Sequence, residues 1–96
     1  MPLYLTEHKH SAETCPTKNR DMMLMLGQHV TQETADKFGI KIHSDVVIPG
    51  EHHMMMVLEA DSQKPIDEYM QPFSMVGSVD VKEVHTCEQV VATATC

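Results

Sequence analysis

Two pairs of histidines carry the clearest potential chemistry in this sequence. His8 and His10 lie near the N-terminus, and His52 and His53 are adjacent much later in the chain. Imidazole is a ligand that suits zinc, nickel and copper. It can also act as a general acid or base near neutral pH. The two pairs therefore predict a metal site or a proton-transfer site, provided that the fold brings them together.

The first pair ends a segment, Leu3 to His10, that the sequence predicts to be a central β-strand. Side chains of a strand alternate between its faces, so His8 and His10 should project from one face, about 7 Å apart along the strand. We expect Leu3 and Leu5 to face the helices. The opposite face would then carry Tyr4, Thr6, His8 and His10.

The remaining patterns predict alternating helices and strands. Apolar spacing favours a helix from Pro16 to about His29, with a buried stripe of Met22, Met25, Leu26 and His29. Pro49-Gly50 marks a turn between two strands. A second helix is predicted at Thr31–Lys37, with Thr31 as its N-cap and Gly39 as its stop, and a third begins at Asp61-Ser62 and ends before Pro72. The predicted strands after the first are Ile40–Ile48, His52–Glu59, Ser78–Cys87 and the edge strand Gln89–Thr95.

This order of elements, β-α-β-β-α-β with an extra C-terminal strand, predicts one α+β domain over residues 1–96. The expected fold is ferredoxin-like: a four-stranded antiparallel sheet with helices on one face. The strand at residues 52–59 is apolar on both faces, so the open face needs a cover. We predict that a second copy packs against it, sheet to sheet, to form a dimeric α/β barrel.

The predicted topology brings the two histidine pairs together. The end of the first strand lies beside the start of the third, so His8, His10 and His53 should share one face as a set suited to Zn, Ni or Cu. A register slip of one residue would substitute His52 for His53. A fourth ligand or a supporting hydrogen bond could come from Glu7, Glu51 or Cys15.

The sequence resembles the dimeric α/β-barrel superfamily in four features: the element order, VLEAD at Val57–Asp61, QPFSMVGSVDVKEV at Gln71–Val84 and the trailing valines. Within it, the chain is similar to small uncharacterised domains of the DUF3303 type. The resemblance implies a homodimer with room for a small-molecule ligand in the barrel. Relatives on this fold include monooxygenases, muconolactone isomerase-like enzymes and small nickel-binding proteins, and such a shared fold fixes little about function.

Composition narrows the range of partners. The formal charge is −7 without a Lys/Arg cluster, so nucleic acid is not an expected partner. No apolar run approaches the roughly 20 residues of a membrane span, and no signal peptide is recognisable, so we expect a cytoplasmic protein. Cys15, Cys87 and Cys96 are widely spaced, which favours free thiols.

Several alternatives to a metal site stay open. The histidines could be polar rim residues of a non-catalytic structural or regulatory domain. They could instead serve a cavity enzyme, monooxygenase- or isomerase-like, with Tyr4, Thr6 or Asp45 orienting a substrate. Nine methionines suit Cu(I), although core packing explains them as well. His29 is expected to be a satisfied core or rim residue, and His43 and His85 to lie at the far end of the sheet.

Overall fold

A computed structural model describes residues 1–94 as an α+β fold with an open antiparallel sheet. Thr95 and Cys96, and with them the end of the predicted edge strand and one of the three expected free thiols, lie outside the described residues. The strands are β1 (Leu3–Lys9), β2 (Lys41–Ile48), β3 (His53–Glu59) and β4 (Ser78–Val84); the helices are α1 (Arg20–His29), α2 (Gln32–Asp36), α3 (Gln63–Tyr69), α4 (Gln71–Ser74) and α5 (Cys87–Thr93), and a single 3-10 turn spans Pro16–Lys18.

The sheet has the strand order β2-β3-β1-β4 within the described range, and all of its pairings are antiparallel. This confirms the ferredoxin-like topology. Strand β1 is central, so its two neighbours fix the position of each of its side chains. Its last residue, Lys9, pairs with His53 of β3 and with Ser78 of β4. The end of β1 and the start of β3 are therefore adjacent, as predicted.

The predicted orientation of β1 was wrong. Tyr4, Thr6 and His8 are buried against the helices, whereas Leu3 and Leu5 are half-buried on the open face. Alternation along a strand separates two faces but does not say which one the helices cover. The pairing decides it, because the buried face of β1 continues the face of β3 that forms the core: Tyr4 pairs with Leu58, and Thr6 pairs with Met56.

Strand β3 is apolar on both faces, as predicted. Met56 and Leu58 are buried in the core, and Met54 packs against it from the same face. Met55 and Val57 alternate with them and remain half-buried on the open face. Both faces of this strand are apolar, but the described chain provides helices for only one of them.

The first predicted helix is interrupted. Asn19 is extended, with φ −124° and ψ 110°, and its side chain accepts a hydrogen bond from the Met22 backbone N–H. This N-cap separates the 3-10 turn from α1, since an asparagine side chain satisfies a free amide at a helix start. The predicted stripe is also rotated: Leu26 is buried, but Met25 is 50% exposed.

The predicted C-terminal strands were wrong in part. Strand β4 ends at Val84, and Gln89 belongs to helix α5, where an edge strand was expected. The reason is a capping box: the Thr86 side chain accepts from the Gln89 backbone N–H, and the Gln89 side chain accepts from the Thr86 N–H. Two satisfied amides at the helix start outweigh the β preference of the valines that follow.

The second helix begins and ends as predicted. The Thr31 side chain accepts from the Thr34 backbone N–H at the start of α2, and Gly39 takes a left-handed conformation, φ +72°, shortly after its end. Glycine adopts this conformation without a Cβ clash, so the chain can reverse into β2. None of the helices in residues 1–94 has the length and apolar character that a bilayer span requires.

Candidate metal site

His8 and His10 form a directed hydrogen-bond chain at the end of β1. His8 Nδ1 lies 3.0 Å from the Ser78 carbonyl oxygen, and a carbonyl only accepts, so Nδ1 carries the proton. In the neutral ring His8 Nε2 is then an acceptor, and it lies 3.1 Å from His10 Nδ1, which therefore donates. The lone pair of His10 is left on Nε2. This atom is buried and has no hydrogen-bond partner among the described residues.

A lowered pKa favours the neutral form of both imidazoles. Burial lowers the pKa of His8, opposed by its bond to the Ser78 carbonyl, while the nearby His10 lowers it further. Burial also lowers the pKa of His10, and the neighbouring His52 adds to the effect. A neutral imidazole with one nitrogen bonded and the other free has the protonation state of a metal ligand.

His52 reaches this position through an unusual backbone conformation. It ends the turn between β2 and β3 with a left-handed φ of +52°, which is uncommon for a residue with a Cβ. The backbone N–H of His10 donates to the His52 carbonyl at 3.2 Å, and the two rings meet edge to face with centroids 5.1 Å apart. Left-handed conformations at such residues often mark functional sites.

Cys15 supplies a thiol from the loop after β1. Its Sγ lies 3.0 Å from Thr17 Oγ1, and the Thr17 hydroxyl and backbone N–H lower the pKa of the thiol, with a smaller contribution from Lys18. The thiolate is the form of cysteine that binds metals. Cys15 and Cys87 are free thiols, as expected.

One ligand atom each from His10, Cys15 and His52 lies within 4.8 Å of the other two. Around tetrahedral zinc, such atoms are separated by roughly 3.3–3.7 Å, given Zn–N and Zn–S bonds of about 2.1 and 2.3 Å. Small side-chain rotations would close this difference, because all three residues are only partly buried. The group could hold a metal ion with three protein ligands.

A cavity of about 680 Å³ opens from this group between the sheet and the segment that carries the 3-10 turn and α1. His8, His10, His52 and Cys15 lie at its wall, and Asp45 on β2 adds a carboxylate. The rest of the lining is largely apolar and includes Met23, Leu26, Val30, Val47, Met54 and Phe73. Its volume falls in the range of small-molecule sites.

The structure separates the predicted ligands. His8 and His10 lie beside His52, but His53 lies on the open face of the sheet, where its Nε2 contacts Glu7 Oε2 at 3.0 Å. This separation follows from the corrected orientation of β1. The alternative prediction, in which His52 replaces His53, gives the histidine that lies beside His10 in the structure. Cys15 lies close to both.

The other histidines have separate partners. His29 Nε2 donates to the Tyr69 carbonyl at 2.7 Å, and the Tyr69 hydroxyl donates to the His29 carbonyl at 2.8 Å, as expected for a satisfied rim residue. His43 pairs with Glu59 at 2.8 Å, and an exposed His85 lies 3.5 Å from Glu83.

Gly77 lies against the end of β1 and was not predicted from the sequence to be part of the site. A Cβ at this position would collide with the Lys9 carbonyl oxygen and would lie 3.0 Å from His8 Cε1 and from His10 Cβ. The glycine thus lets β4 approach the end of β1 closely enough for the Ser78 carbonyl to bind His8. A glycine directly before a predicted strand is a signal for such an approach.

Fold and site define a class: an α+β protein with a ferredoxin-like sheet and a histidine–cysteine group at the wall of a cavity. The model of a family described as domain of unknown function DUF3303 matches residues 10–95. The chain belongs to this family, which confirms the resemblance noted from its sequence. A comparison with curated proteins gave no match.

Proposed function

We propose that this protein binds a divalent transition-metal ion through His10, Cys15 and His52, and that His8 orients His10. The observation that carries the proposal is the buried Nε2 of His10: it has no hydrogen-bond partner within residues 1–94, and its ring lies in a group of three potential ligands. A buried polar atom without a partner costs about 1–3 kcal/mol. A metal–nitrogen bond would remove this cost.

The donor set favours zinc, copper or nickel. A thiolate and two imidazoles suit borderline and soft cations, whereas magnesium and calcium prefer oxygen ligands. The thiolate requires a reduced Cys15, and this requirement fits the expected cytoplasmic location. The fourth position would face the cavity, which is typical of sites where a metal also binds a small molecule.

The experiment is a titration of the untagged apoprotein with Co²⁺ and Zn²⁺. Cobalt reports on its ligands through a thiolate-to-cobalt absorption band. We expect one ion per chain in the wild type and loss of the high-affinity site in His10→Ala, Cys15→Ser and His52→Asn. Asparagine at position 52 tolerates the left-handed backbone, so this variant removes the ligand without adding strain.

His53→Gln is the matched control, because the His53 side chain contacts Glu7 and is not one of the three grouped ligands. We expect it to bind the metal like the wild type. If the wild type does not bind, or if the three ligand variants bind as tightly as the control, the proposal fails.

We further propose a homodimer. The open face of the sheet carries half-buried Leu3, Leu5, Met55 and Val57. Around them the face presents both signs of charge, including Glu7 and Lys9 from β1 and Asp80 and Lys82 from β4. A surface that is apolar at its centre and carries mixed charges around it can complement its own copy across a two-fold axis.

The cavity supports a second candidate, a small cavity enzyme of the monooxygenase or isomerase kind. His8 and His10 are neutral and linked, so His10 Nε2 could accept a proton from a bound substrate. The same variants separate the two candidates. Under the enzyme hypothesis Cys15→Ser retains function, because the thiol has no part in the proton transfer.

A further inference from the structure

We infer that the cavity binds a small molecule with an apolar body and a single oxygen-donor head group, and that the head group coordinates the metal. This inference rests on the proposed metal site and adds the chemical class of its ligand. Three protein ligands leave one position of a four-coordinate ion free, and expansion to five-coordination provides a second position for a chelating group. The group opens into the cavity, so a molecule in the cavity can reach that position.

The walls define the body of the ligand. Apart from the four metal-site side chains, the lining is dominated by aliphatic and aromatic groups from three parts of the fold: Met23 and Leu26 of α1, Val47 of β2, and Phe73 of α4. Such walls favour apolar surface over water. The volume, about 680 Å³, accommodates more than a metal-bound water.

Charge defines the head group. Asp45 is an acidic side chain at the cavity wall, and the whole chain has a formal charge of −7. A ligand with several negative charges, such as a nucleotide, would be repelled. A neutral or singly charged donor paired with the bound cation avoids this repulsion. The geometry thus favours a hydrocarbon-bodied molecule with one chelating group.

Gly27 gives a way to close the cavity without touching the metal ligands. It lines the cavity from α1, and a Cβ at this position would have no atom within 4 Å. A leucine there would occupy part of the space. The substitution should not weaken the helix, because glycine inside a helix is less favourable than residues with a Cβ. Gly27→Ala is the matched control for this backbone effect.

The experiment uses the Co²⁺-loaded protein with two probes that share a head group: acetohydroxamate and hexanohydroxamate. Both can chelate through two oxygens, and binding changes the visible spectrum of cobalt. We expect the longer probe to bind at least about tenfold more tightly, since each fully buried methylene is worth about fourfold. The preference should persist in Gly27→Ala and fall below about threefold in Gly27→Leu.

The outcomes distinguish the two proposals. If the thiolate-to-cobalt band never forms, the metal site and the ligand inference both fail. If the band forms but the two probes bind equally, fail to bind, or strip the cobalt, the ligand inference alone is overturned. It is also overturned if Gly27→Leu keeps the full preference for the longer probe, because the apolar body would then lie outside this cavity.

Discussion

At the residue scale, the site depends on the direction of its hydrogen bonds. The Ser78 carbonyl fixes the proton of His8, and His8 in turn fixes that of His10, so the free lone pair of His10 is set by a backbone atom in another strand. In metalloproteins such supporting bonds orient the ligand and keep it in the required tautomer. His8 is therefore a positioning residue.

We predict a graded effect of substituting His8. His8→Gln should weaken metal binding by about 10- to 100-fold, the usual cost of losing a supporting partner, and should leave the stoichiometry at one ion per chain. Loss of the ligand itself in His10→Ala should abolish the site. Competition titration with a chromophoric chelator measures both. Equal effects of the two substitutions would mean that His8 binds the metal directly.

A second residue-scale prediction concerns Tyr69, which is fully buried and donates to the His29 carbonyl. Burial, with a smaller contribution from Asp45, raises its pKa to about 12. The folded state therefore keeps the phenol neutral above pH 10, where the unfolded chain ionises. This residue's contribution to stability should be lost as pH rises from about 10 towards 12.

The measurement is the free energy of unfolding in urea as a function of pH, for the wild type and Tyr69→Phe. Near neutral pH the variant should be about 1–3 kcal/mol less stable, because the His29 carbonyl loses its donor. Above pH 10 the difference should shrink. A difference that stays constant up to pH 12 would contradict the prediction.

At the scale of elements, the close approach of β1 and β4 positions the histidines. We predict that Gly77→Ala displaces the end of β1, because the new Cβ would overlap the Lys9 carbonyl oxygen. Overpacking of this kind typically costs about 1–3 kcal/mol. Metal affinity should fall as well, although Gly77 carries no ligand.

Gly27→Ala is the counterpart in the same fold, since its Cβ would meet open space on a helix. It should raise the free energy of unfolding by up to about 1 kcal/mol and leave metal affinity unchanged. Thermal unfolding and metal titration of the two variants test the pair. Unchanged stability and affinity in Gly77→Ala would show that β1 and β4 do not hold the site.

Elements also show what the sequence could predict. Periodicity placed the four strands and their order, because alternation and turn residues are local signals. The sequence could not predict which face of β1 packs against the helices, because Tyr4 and Leu5 are both apolar enough to be core residues. Only the pairing of β1 with β3 shows that Tyr4 lies on the core face. The same ambiguity placed His53 beside His10 and gave His52 only as an alternative.

Local polar contacts explain the other differences. The side chain of Asn19 caps α1, so this helix begins later than predicted. The capping box of Thr86 and Gln89 starts helix α5 where a strand was predicted. Both motifs are present in the sequence, but a prediction from the spacing of apolar residues does not take polar capping residues into account. Cys15 was recognisable only as a neighbour of the histidines in sequence, and the loop conformation brings it to them.

At the scale of the whole molecule, one face of the sheet is not covered by helices of the described chain, and Leu3, Leu5, Met55 and Val57 lie half-buried on it. We predict that the wild type sediments as a dimer at micromolar concentration. Leu5→Lys and Val57→Lys, which lie opposite each other on β1 and β3, should each shift it to the monomer, because a charge would be buried at the centre of the interface.

Val91→Lys is the control for this prediction, since Val91 is 81% exposed and belongs to α5, not to a strand of the sheet. Circular dichroism should show the same secondary structure in all three variants. A wild type that sediments as a monomer, or sheet-face variants that remain dimeric, would refute the homodimer.

The most direct test of the metal site is anomalous X-ray scattering from crystals of the untagged protein grown with zinc, with data collected on both sides of the zinc absorption edge. We predict one strong anomalous peak per chain, about 2.0–2.3 Å from His10 Nε2, Cys15 Sγ and a ring nitrogen of His52. A peak between His53 and Glu7, or no peak at the histidine–cysteine group, would contradict the proposal.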